Sequence, residues 1–147
     1  DQDKHLAIRY SDMEFQHIWS DRLPAASTED YVSLLSKLNS KTYFDERIHH
    51  YLDPVMEQLM QHQKNRESFV HAGRKGGSTA FVLTNAIYAT DHDGNTTELA
   101  FFANQLSRYE QRKLAENMNL FQLNILKDSR FREKVREELE DQDNDHH

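Results

Sequence analysis

Between Pro24 and Leu59 the apolar residues recur every three or four positions, which predicts two amphipathic helices. Ser27 is a typical N-cap for the first helix, whose apolar positions are Tyr31, Leu34, Leu35 and Leu38. The second helix begins at about Asp45, and its apolar positions are Ile48, Leu52, Val55, Met56 and Leu59. Pro54 should kink or divide this second helix, because proline cannot donate the hydrogen bond that a helix interior needs.

The pattern then changes to short runs rich in β-branched and aromatic residues, which are typical of strands. Residues 69–72 predict a first strand and residues 79–90 a second. Asp93-Gly94 is a typical hairpin turn, and it leads into a third strand, "TTELAFFAN". Three antiparallel strands are therefore expected in the middle of the chain.

The C-terminal part is predicted to be helical. Ser107 and Glu110 have the spacing of a capping box, and the helix that follows has Leu114, Met118, Phe121 and Ile125 on one face. Asp128-Ser129 should break this helix, and a last turn or two should follow. Six of the nine residues 137–145 are acidic, which indicates a solvated, fraying end. We expect residues 1–26 to be irregular, with one short turn at residues 13–19.

These elements predict one α+β domain over residues 1–147, in which helices are followed by a three-stranded antiparallel sheet with a C-terminal helix on one face. Such a sheet has two edges. The third strand is rich in apolar residues, so we expect its edge to attract another strand unless something covers it. Self-association is one way to cover it.

Composition excludes several classes of function. The net charge of −7 argues against a nucleic-acid phosphate backbone as partner, and no apolar run is long enough to span a bilayer. The absence of cysteine excludes disulfides and thiolate zinc sites. The nine histidines show no H-E-x-x-H or H-x-x-x-H spacing, so no metal is expected, and no cofactor motif is found. The first ten residues lack a signal peptide's apolar core, which suggests a mature or cut product.

The chain has four glycines, and three of them, Gly73, Gly76 and Gly77, surround Lys75. One interpretation is a substrate-binding strand edge, in which main-chain groups bind an extended ligand and Lys75 faces an anion. The hydroxyls of Ser78 and Thr79 would then lie nearby. The other interpretation is a glycine-rich bulge with an exposed lysine. It is neither a phosphate loop nor a Rossmann turn, because the glycines precede a strand rather than a helix.

The run "HAGRKGGSTAFVLTNAIYATDHDGNTTELAFFANQLSRYEQ" resembles the C-terminal third of the penicillin-recognising serine hydrolases, which include class A β-lactamases and D-Ala-D-Ala peptidases. In that superfamily the K-[TS]-G signature lies on a sheet-edge strand, followed by two antiparallel strands and a long helix. Lys75-Gly76-Gly77 stands at the corresponding place. The resemblance extends over residues 24–135 and implies a bacterial, extracytoplasmic protein that acts on acyl or peptide-like substrates.

This chain departs from the family pattern at three motifs. Gly76 stands where the family has Thr or Ser, so the hydroxyl that helps to hold a substrate carboxylate would come from Ser78 or Thr79. No lysine has a serine three positions before it, so the nucleophile motif S-x-x-K is absent. S-D-N is absent too; its nearest match, Ser11-Asp12-Met13, precedes the helices, and no role is carried over to it or to Glu14.

Two hypotheses follow from the sequence. In the first, the chain is a C-terminal fragment of a β-lactamase-like serine hydrolase, and its substrate lies along residues 75–79. Lys75 would hold a substrate carboxylate, and Ser78 is a candidate backbone donor. The missing nucleophile would then lie on an N-terminal segment. In the second, the chain is a non-catalytic binding or assembly module that pairs through its sheet edge, and Lys75 is merely solvated.

Overall fold

The computed structural model describes residues 13–144, and the side chains of residues 13–141, as six helices around one three-stranded sheet. The helices are α1 (Met13–Asp21), α2 (Thr28–Asn39), α3 (Glu46–Met56), α4 (Gln63–Arg66), α5 (Arg108–Lys127) and α6 (Ser129–Asn144). The strands are β1 (Phe69–Ser78), β2 (Leu83–Asp91) and β3 (Thr96–Ala103), and a 3₁₀ turn spans Gln58–Gln61. This order confirms the predicted α+β class, with helices before the sheet and after it.

The sheet is an antiparallel meander in the order β1-β2-β3, so that β1 and β3 are edge strands within the described part of the chain. Its register pairs Lys75 with Ala86 and Ile87 with Leu99. The turn between β2 and β3 contains Asp93-Gly94 as predicted, and Gly94 has a φ of 83°. Glycine adopts this backbone conformation readily because it has no Cβ.

Helices cover both faces of the sheet, so the protein has two small cores. On the face towards α5, the buried cluster comprises Phe69, Ala72, Ile87, Ala89 and Leu126. On the face towards α2, it comprises Leu35, Leu38, Ala86 and Tyr88. The two clusters use alternate residues of β2, because successive side chains of a strand point to opposite faces. The predicted C-terminal helix on one face is present, and α2 covers the opposite face.

The ends of the main helices follow their sequence signals. The Ser27 hydroxyl accepts the N–H of Asp30 at 3.0 Å, as expected of an N-cap. Ser107 and Glu110 form the reciprocal pair of a capping box at the start of α5. Pro54 lies in the last turn of α3, and that helix ends two residues later, at Met56.

The N-terminal prediction was partly wrong. Residues 13–21 form the helix α1, although we expected irregular structure with a short turn; residues 1–12 lie outside the described part. The large side chains of α1, Phe15, Ile18 and Trp19, are 47–50% exposed. The helix is short, with nine residues, and its buried residue is Ser20, so it buries little apolar surface.

The boundaries of the strands and of the last helix also differ from the prediction. β1 continues to Ser78, and β2 begins only at Leu83, because a tight turn in which Thr79 N–H donates to Val82 O at 2.9 Å separates them. α6 has 16 residues rather than a turn or two. Its side chains form i,i+3 and i,i+4 pairs such as Arg136 with Glu133 and Glu140, which support a charged helix without a buried face. None of the helices in residues 13–144 combines the length and apolar character needed to cross a bilayer.

Candidate functional site

Lys75 lies on the edge strand β1, where its strand partner is Ala86 of β2. Its side chain is exposed, and Nζ donates to the carbonyl oxygen of Gly76 at 3.0 Å. Within residues 13–144 no strand pairs with the outer side of β1. The outward backbone groups of an edge strand can bind an extended ligand. Lys75 therefore occupies the sheet-edge position that the sequence pattern predicts.

Gly76 and Gly77 differ in how closely β2 approaches them. A Cβ on Gly76 would lie 3.3 Å from the carbonyl oxygen of Thr84, which is tighter than an ordinary contact. A Cβ on Gly77 would meet only Thr84 Oγ1, at 3.4 Å. A Cβ on Gly76 would therefore require the two strands to shift by a few tenths of an ångström, whereas a Cβ on Gly77 would make an ordinary contact.

Ser78 and Thr79, the two candidate hydroxyls, are in different environments. Thr79 Oγ1 accepts the N–H groups of Phe81 and Val82 at 3.2 and 3.1 Å and the Ser20 hydroxyl at 2.7 Å. These bonds close the turn after β1 and attach α1 to it. Ser78 is exposed and makes no hydrogen bond to another described residue through its hydroxyl. Because it follows Lys75 by three positions, it lies on the opposite face of β1.

Gly73 serves the core rather than a ligand. It pairs with Tyr88 across the β1–β2 ladder, and a Cβ at this position would lie 2.4 Å from Cζ of the Tyr88 ring. Real Cβ atoms do not approach other atoms so closely, so the ring can lie over β1 only because residue 73 is glycine. The clustering of three glycines around Lys75 therefore has two causes, of which only one concerns the strand edge.

A network of charged groups that the sequence analysis missed lies on the same face of the sheet. Lys41 Nζ is 2.9 Å from Asp53 Oδ1 and also pairs with Glu57. Glu57 accepts the Tyr88 hydroxyl at 3.0 Å, and His49 Nδ1 lies 3.1 Å from Asp53 Oδ1. The i,i+4 spacings of His49 with Asp53 and of Asp53 with Glu57 are the local sequence signals of this network.

The environment of the network favours a structural role. Burial and the neighbouring Glu57 carboxylate raise the pKa of Tyr88, which is 0% exposed. Burial also tends to raise the pKa of Asp53, but hydrogen bonds from Lys41 and His49 outweigh burial, and the net pKa lies below its ordinary value. Tyr88 thus stays protonated with no path to solvent. The network holds α3 on the sheet, and its solvent-facing members are Lys41 and Asp53, whose side chains are 25% and 28% exposed.

A second polar cluster surrounds Asn39 at the end of α2. The Asn39 amide nitrogen donates to Ala89 O at 3.1 Å and to Glu98 Oε1 at 2.7 Å. Its oxygen lies 2.8 Å from His71 Nε2 and accepts the Thr90 hydroxyl at 2.8 Å. His71 is half-buried, as expected of a structural histidine. In residues 13–144 no group of three His, Cys, Asp or Glu side chains is placed to hold a metal ion.

The remaining sequence candidates are scattered. Ser11 and Asp12 lie outside the described residues, whereas Glu14 lies on α1. The phenylalanines of β3 and α5 lie in separate ring contacts: Phe102 packs on Tyr31 of α2, and Phe121 packs on Phe131 of α6. In the described part of the chain, Lys75 is an exposed cation on the strand edge, and no serine–base pair for acyl transfer lies beside it.

Comparisons of the chain with protein-family models, with curated proteins and with solved structures found no match.

Proposed function

We propose that this chain carries the carboxylate-binding strand of a serine hydrolase of the penicillin-recognising kind, and that a segment outside this sequence supplies the nucleophile. The observation that carries the proposal is the position of Lys75 on an edge strand, directly before two glycines. The ammonium group offers a positive charge, and the strand edge offers N–H and C=O groups in an extended array. Both are what a peptide-like substrate with a terminal carboxylate requires.

Acyl transfer by a serine hydrolase needs an activated serine, a base and an oxyanion hole with backbone donors. The sequence lacks S-x-x-K, and β1 can supply only the backbone donors and the cation. Thr79 is occupied by the turn and by Ser20, and Ser78 lies on the opposite face from Lys75. The contribution of Ser78 in this proposal is therefore its backbone N–H rather than its hydroxyl.

The first test measures reversible binding. An N-acyl-D-Ala-D-Ala peptide is titrated into ¹⁵N-labelled protein, and backbone amide shifts are followed by NMR. We expect saturable shifts at residues 74–79, at least about tenfold weaker binding in Lys75→Ala, and weak binding of the peptide's C-terminal amide, because the charge-assisted bond is lost. Lys134→Ala is the matched control, because Lys134 is an exposed lysine on α6. Equal affinities of Lys75→Ala and Lys134→Ala would overturn the proposal.

The second test concerns covalent chemistry. Incubation with a fluorescent penicillin, followed by intact mass measurement, should give no adduct with this chain alone, because it has no S-x-x-K motif. A covalent adduct would refute the placement of the nucleophile outside this sequence. If the gene encodes a preceding segment, the longer product should be acylated, and Lys75→Ala should abolish that acylation.

A second candidate function is a non-catalytic assembly module. It is favoured by apolar side chains that remain exposed on three helices: Trp19 is 50% exposed, Leu34 46% and Val55 63%. The outer side of β3 also lacks a strand partner within residues 13–144. Sedimentation velocity between about 1 and 100 μM should then show self-association. A monomer over this whole range, without peptide binding at Lys75, would eliminate both candidate functions.

A further inference from the structure

A cavity of about 350 Å³ lies between the sheet and α5, on the face opposite to Lys75. Phe69, Ile87 and Leu126 form its apolar wall, and all three belong to the buried core on this face. Its volume lies at the lower end of the range of small-molecule sites, roughly 300–1,000 Å³. At the roughly 30 Å³ that a water molecule occupies in the liquid, it has room for about twelve non-hydrogen atoms.

The polar residues that line the cavity are His62, Asn65, Arg74, Asn119 and Gln122, and each of them can donate a hydrogen bond. Arg74 lines it and donates from Nη1 to Asn119 Oδ1 at 3.2 Å, which leaves its other N–H groups for a ligand. Gln122, one helical turn beyond Asn119, lines it as well. None of the residues that line this cavity is acidic, although the whole chain has a net charge of −7. The local charge therefore favours an anion.

Gln122 provides an independent sign of a missing partner. Its side chain is 2% exposed, and Nε2 has no hydrogen-bond partner among the described residues. A buried amide donor without a partner is costly, and such groups in native proteins require an explanation. A ligand oxygen in the cavity would satisfy it. The same oxygen, or its carboxylate neighbour, would lie within reach of Arg74, because residues 119 and 122 share a helix face.

The geometry points to a binding site for a small apolar monocarboxylate, with its hydrocarbon part against Phe69, Ile87 and Leu126 and its carboxylate between Arg74 and Gln122. This site is separate from the proposed substrate strand. Arg74 and Lys75 are neighbours in β1, so their side chains point to opposite faces of the sheet. Success or failure at one site therefore leaves the other untouched.

The test uses octanoate as the probe and 1-octanol as an uncharged ligand of nearly the same length. ¹⁵N-labelled protein is titrated with each compound to a few millimolar, and NMR shifts are followed at residues 69–74 and 119–126. We expect saturable shifts in these two segments with octanoate, with a Kd of about 1 mM or tighter, and at least about tenfold weaker binding of octanol, because a charged acceptor strengthens both hydrogen bonds.

Two variants and one control locate the site. Arg74→Gln removes the cation, and Gln122→Leu replaces the unpaired amide with an apolar side chain of similar size. Each should weaken octanoate binding at least about fivefold, and the affinity for octanol should change less. Arg112→Gln is the control, because Arg112 is an exposed arginine of α5 that does not line the cavity. Gln122→Leu should also leave the midpoint of thermal unfolding unchanged or raise it, because it removes an unsatisfied buried donor.

Three results would overturn the inference. The first is the absence of saturable shifts in both segments at the highest octanoate concentration. The second is equal affinity for octanoate and octanol, which would show that the carboxylate is not recognised. The third is a loss of affinity in Arg74→Gln no larger than in Arg112→Gln, which would show that only the overall charge matters.

Discussion

The contact between Gly73 and Tyr88 allows a sharp prediction about stability. In Gly73→Ala the new Cβ would lie 2.4 to 2.6 Å from three atoms of the Tyr88 ring, so the ring must move. Tyr88 is 0% exposed and its hydroxyl donates to Glu57 at 3.0 Å. Loss of a hydrogen bond to a charged group costs about 1.5–3 kcal/mol, and overpacking of a core costs about 1–3 kcal/mol. We therefore expect the free energy of unfolding to fall by about 3–5 kcal/mol.

Urea unfolding followed by circular dichroism measures this change. With a slope of about 2 kcal/mol per molar urea, the midpoint should fall by about 2 M. Gly77→Ala is the matched control on the same strand, because its Cβ meets one atom at 3.4 Å, an ordinary contact. It should change the unfolding free energy by less than about 0.5 kcal/mol.

A double mutant separates steric overlap from the general effect of alanine in a strand. In a Tyr88→Leu background the ring is gone, so Gly73→Ala should cost less than about 1 kcal/mol there. A cost of the same size in both backgrounds, or a single mutant within about 1 kcal/mol of the parent, would refute the steric explanation.

Two further predictions concern the turn after β1 and the buried phenol. Thr79→Val should lower the free energy of unfolding by about 1–2 kcal/mol, because three hydrogen-bond donors lose their acceptor. Ser78→Ala is the control and should change it by less than about 0.5 kcal/mol. Equal effects of the two substitutions in urea unfolding would contradict this prediction. Because the pKa of Tyr88 is raised in the folded state, its protonated phenol favours folding. This contribution to stability is complete below the unfolded-state pKa of about 10 and is lost as the pH rises above that value. The unfolding free energy should therefore fall between pH 9 and 11 by about 1.4 kcal/mol more in the parent than in Tyr88→Phe, and parallel pH profiles would contradict this reasoning.

Local signals in the sequence were sufficient for most of the fold. Caps at Ser27 and Ser107, the Asp93-Gly94 turn and the change from helical to alternating periodicity predicted the order of α2, α3, the three strands and α5 correctly, whereas α1 and α4 were not predicted. Each of these signals operates over a few residues, so no knowledge of tertiary contacts is needed. The helix α1 was missed because it attaches through Ser20 to Thr79, 59 positions away, and buries little apolar surface.

The candidate site was predictable only in part, because its geometry depends on contacts between residues that are distant in the sequence. The edge position of Lys75 follows from the order of the strands. The partner of Gly73 depends on the register of β1 and β2, and the cavity depends on how α5 lies across the sheet. In the sequence, Gln122 looks like an ordinary polar position of an amphipathic helix. In the structure its side chain is only 2% exposed. Only the packed structure shows that its donor lacks a partner.

The amide of Asn39 reaches every strand of the sheet from a helix outside it. It contacts His71 of β1, the Ala89 carbonyl of β2 and Glu98 of β3. If any one strand slipped by a single residue, its contact would be replaced by a side chain or carbonyl facing the wrong way. At least one buried polar group would then lose its partner, at a cost of about 1–3 kcal/mol. One side chain of α2 thus favours the native register of all three strands, because a mispaired sheet would leave a buried polar group without a partner when α2 packs on it.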